Sequence, residues 1–179
     1  MNSLFIETLV SSIPHPSTHE KLKPYEPLIG DWDFDWVGHN QDGTTWKVPG
    51  EWLFSWILEG RAIQDNWICP SRSLRNTGKY PAGQYGTTIR FYDENEDQVK
   101  VVWIRGIGAQ LFLFNVSFID NQIIQQEVAI GQKSNLSKWV FKEIKPESFK
   151  WEAYLSDDDG NKWNLTQEVF AKRKATNAL

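Results

Sequence analysis

The sequence predicts an all-β fold: an antiparallel up-and-down barrel of about ten strands with a short helical segment at the N-terminus. Three observations carry this. In the run Trp46–Leu58 the even positions read Trp46, Val48, Gly50, Trp52, Phe54, Trp56 and Leu58, while the odd positions are mixed and more polar. Period-two alternation over such a length marks a long strand with one buried, aromatic face. From Asp31 onward, strand-like runs and turn signals alternate to the end, and no amphipathic helix longer than about two turns follows residue 30. Around ten consecutive hairpin-linked strands favour a closed barrel over a sandwich, because closure removes exposed edges.

Residues 1–30 form an N-terminal helical or extended brace, and residues 31–173 the barrel. In the brace, Leu4, Phe5, Leu9 and Val10 make an apolar stripe of a short helix. Ser17 and Glu20 have capping-box spacing, and Pro24 and Pro27 limit any helix there to a turn or two. The segment reads as a plug across one end of the fold, with a homodimer contact as the alternative use of its apolar residues. Strands are expected at 31–39, 44–58, 61–69, 86–92, 98–105, 110–119, 122–130, 137–145, 148–156 and 161–171. The intervening turns include Asn40–Gly43, Glu59-Gly60, Asp93–Asp97, Asp120-Asn121, Pro146-Glu147 and Asp157–Gly160. One connection is long, Pro70–Tyr85, and it carries Arg72, Arg75 and Lys79 but no acid. Loops of that length in a compact barrel are often functional, so it is read either as a lid over the mouth or as a solvated loop.

The chain has 179 residues, enough for one domain with a sizeable core, and 14% of them are aromatic. Its 19 basic and 23 acidic residues leave a net charge of −4, with no basic excess to suggest nucleic acid. Cys69 is the single cysteine, so no internal disulfide is available. The N-terminus lacks a basic n-region and long apolar core, and no run approaches a membrane span. A cytoplasmic location is expected, with neither a membrane nor a nucleic acid as partner.

The segment Leu28-Ile29-Gly30-Asp31-Trp32 resembles the Gly-x-Trp first strand of lipocalin-like (calycin) barrels. That resemblance implies a tryptophan closing the barrel floor under a basic residue from the last strand, here Arg173 ahead of Lys172. The phrases Leu58–Trp67, Tyr85–Asp93 and Asp159–Trp163 resemble, more narrowly, a bacterial family of lipocalin-like barrels classed as a domain of unknown function. The family implies a fold and no activity. Haem-binding relatives need an axial histidine late in the chain, whereas this sequence has only His15, His19 and His39, and Asp33, Phe34, Asp35 and Trp36 break their glycine pattern. No cofactor is expected.

If Glu59-Gly60 is a two-residue turn, parity places Arg61, Ile63, Asp65 and Trp67 on the inward side with Trp52, Phe54 and Trp56. Asp65 and Arg61 lie about 13 Å apart along one strand, so each needs another partner. Arg90 and Tyr92 share a face of their strand, as do Trp103 and Arg105, and Gln125 and Glu127. These residues suggest an aromatic pocket with a few placed polar groups. Trp52, Trp56, Trp67 and Trp103 would supply ring faces; Arg61, Arg90 and Arg105 would anchor a carboxylate, phosphate or polarised carbonyl. Asp65, Tyr92 and Gln125 complete the candidate set. An alternative reading has the rings simply filling the barrel and Asp65–Arg90 forming an internal ion pair.

Three functions compete. The first is binding of a small aromatic or apolar molecule, with the arginines suited to an anionic group on it. The second is a cofactor-free isomerase, cyclase or lyase, with Asp65 or Glu127 as acid or base and Tyr92 stabilising an enolate. The third is a packed structural or partner-binding module. Asp157, Asp159, Asn161 and Glu168 have calcium-loop spacing, but Lys162 stands where glycine is needed, and a hairpin explains the segment. The inventory of one cysteine and three early histidines does not assemble a zinc site, and no metal is expected.

Overall fold

A computed structural model describes residues 3–80, 83–129 and 135–175. Ten strands follow in order: β1 Gly30–His39, β2 Thr45–Ile57, β3 Ala62–Cys69, β4 Gln84–Asp93, β5 Gln98–Arg105, β6 Gln110–Ile119, β7 Gln122–Val128, β8 Leu136–Lys145, β9 Ser148–Ser156 and β10 Asn164–Arg173. Each pairs antiparallel with its sequence neighbours, and β1 pairs with β10, so the sheet closes into a ten-stranded meander barrel. The expected end of β7 at residue 130, and Pro81 and Ala82 of the long connection, lie outside the described residues.

Local chemistry explains the turns. Asp120 and Asn121, the two residues between β6 and β7, both have positive φ, which a tight hairpin following the strand twist demands. The β2–β3 connection differs from expectation. Pairing stops at Ile57 with Ala62, and Leu58–Gly60 forms a 3-10 turn with positive φ at all three residues. The register is the expected one, but the hairpin loop is Leu58–Arg61. The last strand starts at Asn164 rather than 161, because the Asp158 carboxylate accepts the Lys162 amide and holds the preceding turn together.

Inward glycines make room for the large rings. A Cβ on Gly50 would lie 2.2 Å from the Phe34 ring, and one on Gly86 would lie 2.3 Å from the Trp103 ring. Both rings therefore cross a neighbouring strand in close contact, at a position where any other side chain would push them out.

One end of the barrel, the floor, is closed by the N-terminal segment. A 3-10 stretch, Glu20–Leu28, buries Leu22, Tyr25 and Leu28 in the core. Its N-cap is His19, whose Nδ1 accepts the Lys21 amide at 3.3 Å, and not Ser17, which is hydrogen-bonded to His15 instead. Trp32 donates its indole N–H to the Leu28 carbonyl at 2.7 Å, and the Arg173 guanidinium lies 4.0 Å over the Trp32 ring. Arg173 also donates to the carbonyls of Pro146, Ile29 and Pro27. The basic residue closing the floor is thus Arg173; Lys172 is on the opposite face. Preceding this, helix α1 (Ser3–Leu9) leaves Leu4, Phe5 and Leu9 exposed, as is Val10 after it. No helix among the described residues is long and apolar enough to cross a membrane.

Candidate ligand lumen

The interior is layered along the barrel axis. Nearest the floor lies a buried polar layer. Asp65 accepts from the Arg90 guanidinium at 2.5 Å and from the Thr88 hydroxyl at 3.2 Å, and both charged residues are essentially inaccessible. Arg90 sits within 5.1–5.7 Å of the centroids of Tyr25, Phe54 and Phe141, so aromatic faces take part of the charge. Gln125 donates to the Tyr25 hydroxyl at 2.9 Å, and burial pushes that phenol up to about 12. This layer joins the barrel wall to its N-terminal plug.

Above it the barrel holds a cavity of about 210 Å³. Trp52, Trp67, Trp103, Trp139, Trp151 and Phe112 supply its ring faces. The rings touch in sequence: Trp52 and Trp67 at 4.8 Å, Trp67 and Trp151 at 5.9 Å, Trp151 and Trp139 at 5.7 Å, Trp139 and Trp103 at 5.9 Å. Gln84, Thr88, Gln110, Ser137 and Gln167 provide neutral polar groups, and no charged side chain is among the described lining residues. The indole N–H groups of Trp52, Trp67 and Trp151 are buried with no hydrogen-bond partner among the described residues. Buried donors are nearly always paired, so three together in one cavity wall are unusual.

At the mouth, a cleft of about 580 Å³ adjoins the lumen and shares Gln84 with it. Trp36, Trp46, Cys69 and Arg105 line this cleft. Trp36 donates to Gln167 of the lumen at 3.1 Å and meets Trp67 edge-on, so these side chains form the partition between the two spaces. The Cys69 thiol is pushed up to about 12 by burial, which leaves it a poor nucleophile.

The structure distributes the sequence-derived candidates among these layers. Trp52, Trp67 and Trp103 line the lumen, and Arg105 lines the mouth cleft. Asp65, Arg90 and Gln125 belong to the floor layer and bond to one another's surroundings. Trp56 is buried near the floor, beside the Ser11 backbone bridge, and does not line the cavity. Arg61 is outside the barrel, because the 3-10 turn carries it beyond the last strand pair; it pairs there with Glu59 and His15. Tyr92 is also displaced from the lumen. It stacks on His19 at 3.6 Å and donates to Asp97, a bond that raises its hydroxyl to about 12. Glu127 is buried and accepts the Ser137 amide at 2.8 Å. The basic loop turns to the outer wall: Arg72 pairs with Glu51, and Arg75 stacks on Tyr85.

Sequence reasoning missed Trp139, Trp151 and Phe112. The signal was present, since Trp139 alternates with Phe141, and Trp151 with Phe149 and Ala153, as Trp52 does with Phe54.

No family model matches the chain, and no curated protein matches it. Among solved structures, the fold is similar to the crystal structure of Rv2717c from M. tuberculosis, with a TM-score of 0.59 and 11% identity over 89% of this chain and 100% of that one. It is also similar to the S-type phycobiliprotein lyase CPES from Guillardia theta, with a TM-score of 0.55 and 11% identity over 89% of this chain and 95% of that one. At that identity the likeness speaks to fold alone: this chain has a lipocalin-like barrel.

Proposed function

We propose that the protein binds one small aromatic or apolar molecule in the lumen of its barrel. The observation that carries this is the cavity wall itself: seven aromatic side chains, Tyr154 among them, line a space of about 210 Å³. An apolar cavity of ~150 Å³ admits benzene, so this lumen is sized for one or two fused rings. A barrel packed solid for a structural role would not leave space of this size.

The acid–base alternative has less support. Asp65 is committed to Arg90 and Thr88, Glu127 to a backbone amide, and Tyr92 to Asp97. That one similar barrel is a phycobiliprotein lyase is compatible with either reading.

The test is a titration with indole and 2-naphthol, followed by tryptophan fluorescence. Saturable one-to-one binding is expected, weakened at least ~10-fold in Ala153→Leu, which narrows the lumen from an inward position on β9. Absence of binding by the native protein, or equal binding by the narrowed one, would remove the lumen as the site.

A further inference from the structure

Arg105 is the one arginine among the described residues that line the mouth cleft. It follows Trp103 by two residues on the inward face of β5, so its Cα lies about 7 Å further toward the mouth than that of a lumen tryptophan. It is partly buried, its Nε is inaccessible, and it has no hydrogen bond or carboxylate partner among the described residues. By contrast Arg61 pairs with Glu59, Arg72 with Glu51 and Arg90 with Asp65, and Arg173 is spent on three carbonyls, while Arg75, which also lacks an acceptor, lies over the Tyr85 ring and does not line the cleft. A guanidinium held against apolar walls without a counter-charge is costly. The described lining of its cleft contains no acid, and the only other cation there, Lys47, is bonded to Asp35 at 2.8 Å. The cleft is thus electropositive through one free guanidinium, and it opens beside a lumen whose described lining has ring faces but no charge.

We propose that Arg105 seats the carboxylate of a small aromatic acid whose ring system lies in the tryptophan-lined lumen; this rests on the lumen-binding reading above and narrows its ligand class. A guanidinium presents a planar fork that matches a carboxylate with two parallel hydrogen bonds. One free cation suits a monoanion, whereas a phosphate dianion would call for a second unpaired cation that the described lining lacks. The separation of Arg105 from Trp103 leaves room for a short linker of one or two carbons between ring and carboxylate.

The experiment compares matched acids and amides: phenylacetate against phenylacetamide, and 2-naphthylacetate against 2-naphthylacetamide. Each is titrated by tryptophan fluorescence into the native protein, Arg105→Gln and Arg105→Lys. The acid is expected to bind tighter than its amide by on the order of tenfold, as a charge-assisted bond replaces a neutral one. That preference should collapse to about one in Arg105→Gln and survive in part in Arg105→Lys. Removing an unpaired charge orphans no acid, so Arg105→Gln should melt no lower than the native protein. If the amides bind and the acids bind no better, Arg105 is not an anion site and the lumen reading stands alone. If neither acid nor amide binds, the lumen reading fails and this inference goes with it. If the preference persists in Arg105→Gln, another group seats the carboxylate and the assignment is overturned.

Discussion

Asp65 offers the sharpest separation between a structural and a catalytic carboxylate. In Asp65→Ala the Arg90 guanidinium keeps its burial, at 1% exposure, and loses the carboxylate it donates to. The rings of Tyr25, Phe54 and Phe141 remain around it but cannot replace a carboxylate. Removing one partner from a buried ion pair costs about 3–5 kcal/mol. Against a domain stability of roughly 5–15 kcal/mol, that is about a fifth of the total or more. For a chain of this length it corresponds to a fall in Tm of about 6–20 °C. Arg90→Met should cost a similar amount, since Asp65 would retain only the Thr88 hydroxyl. The double variant Asp65→Ala/Arg90→Met removes both charges and leaves an apolar side chain in the space, so it should recover much of the loss. Urea unfolding followed by fluorescence gives all four corners of the cycle, and the coupling should be about 3 kcal/mol. If Asp65→Ala unfolds within ~1 kcal/mol of the native protein, the pair is not structural. Asp65 would then return as a candidate for chemistry.

Two further outcomes follow from the ion pairs on the wall. Burial raises the Glu51 carboxyl, but hydrogen bonds from Arg72 and Lys174 outweigh it and hold the group down at about 2. An unfolded glutamate titrates near 4.5, so this contribution is complete above that pH and lost as pH falls toward 2; thermal melts from pH 6 to 2.5 should therefore fall more steeply for the native protein than for Glu51→Gln, and parallel curves would refute the assignment. Arg173 serves three carbonyls while covering Trp32, which a lysine cannot do, so both Arg173→Ala and Arg173→Lys should lose about 2–4 kcal/mol in urea unfolding; a lysine variant within ~0.5 kcal/mol of native would show that charge alone closes the floor.

Most of the barrel was legible because its signals are local. Alternation in Trp46–Leu58 reports a strand and a buried face, and Asp120-Asn121 reports a hairpin. The strand ends moved by only a few residues where a side chain intervened, as Asp158 does before β10. The N-terminal plug was harder, since Tyr25 packs against partners about a hundred residues away, and His19 took the cap that spacing offered to Ser17. The β2–β3 hairpin shows how an error in loop form can leave register intact. Ile57 and Ala62 face each other in both versions, so parity carried Asp65 and Trp67 inward correctly, while Arg61 itself left the sheet.

The candidate site was less legible than the fold for a geometric reason. Alternation along a strand states which face a residue occupies, but it carries no information about depth along the barrel axis. Depth is set by the stagger between neighbouring strands, which is a property of the closed sheet. Asp65, Trp67, Arg90, Trp103 and Arg105 all share the inward face, and sequence parity makes them one constellation. The closed sheet separates them into three levels. Asp65 and Arg90 neutralise each other at the floor; Trp67 and Trp103 wall a neutral lumen; Arg105 stands at the mouth with its charge unmet. The same five residues therefore divide between stability and recognition by level, and a substitution that shifted the β4–β5 register by two residues would bring Arg105 opposite Thr88, to the depth of the lumen, without changing which way a single side chain faces.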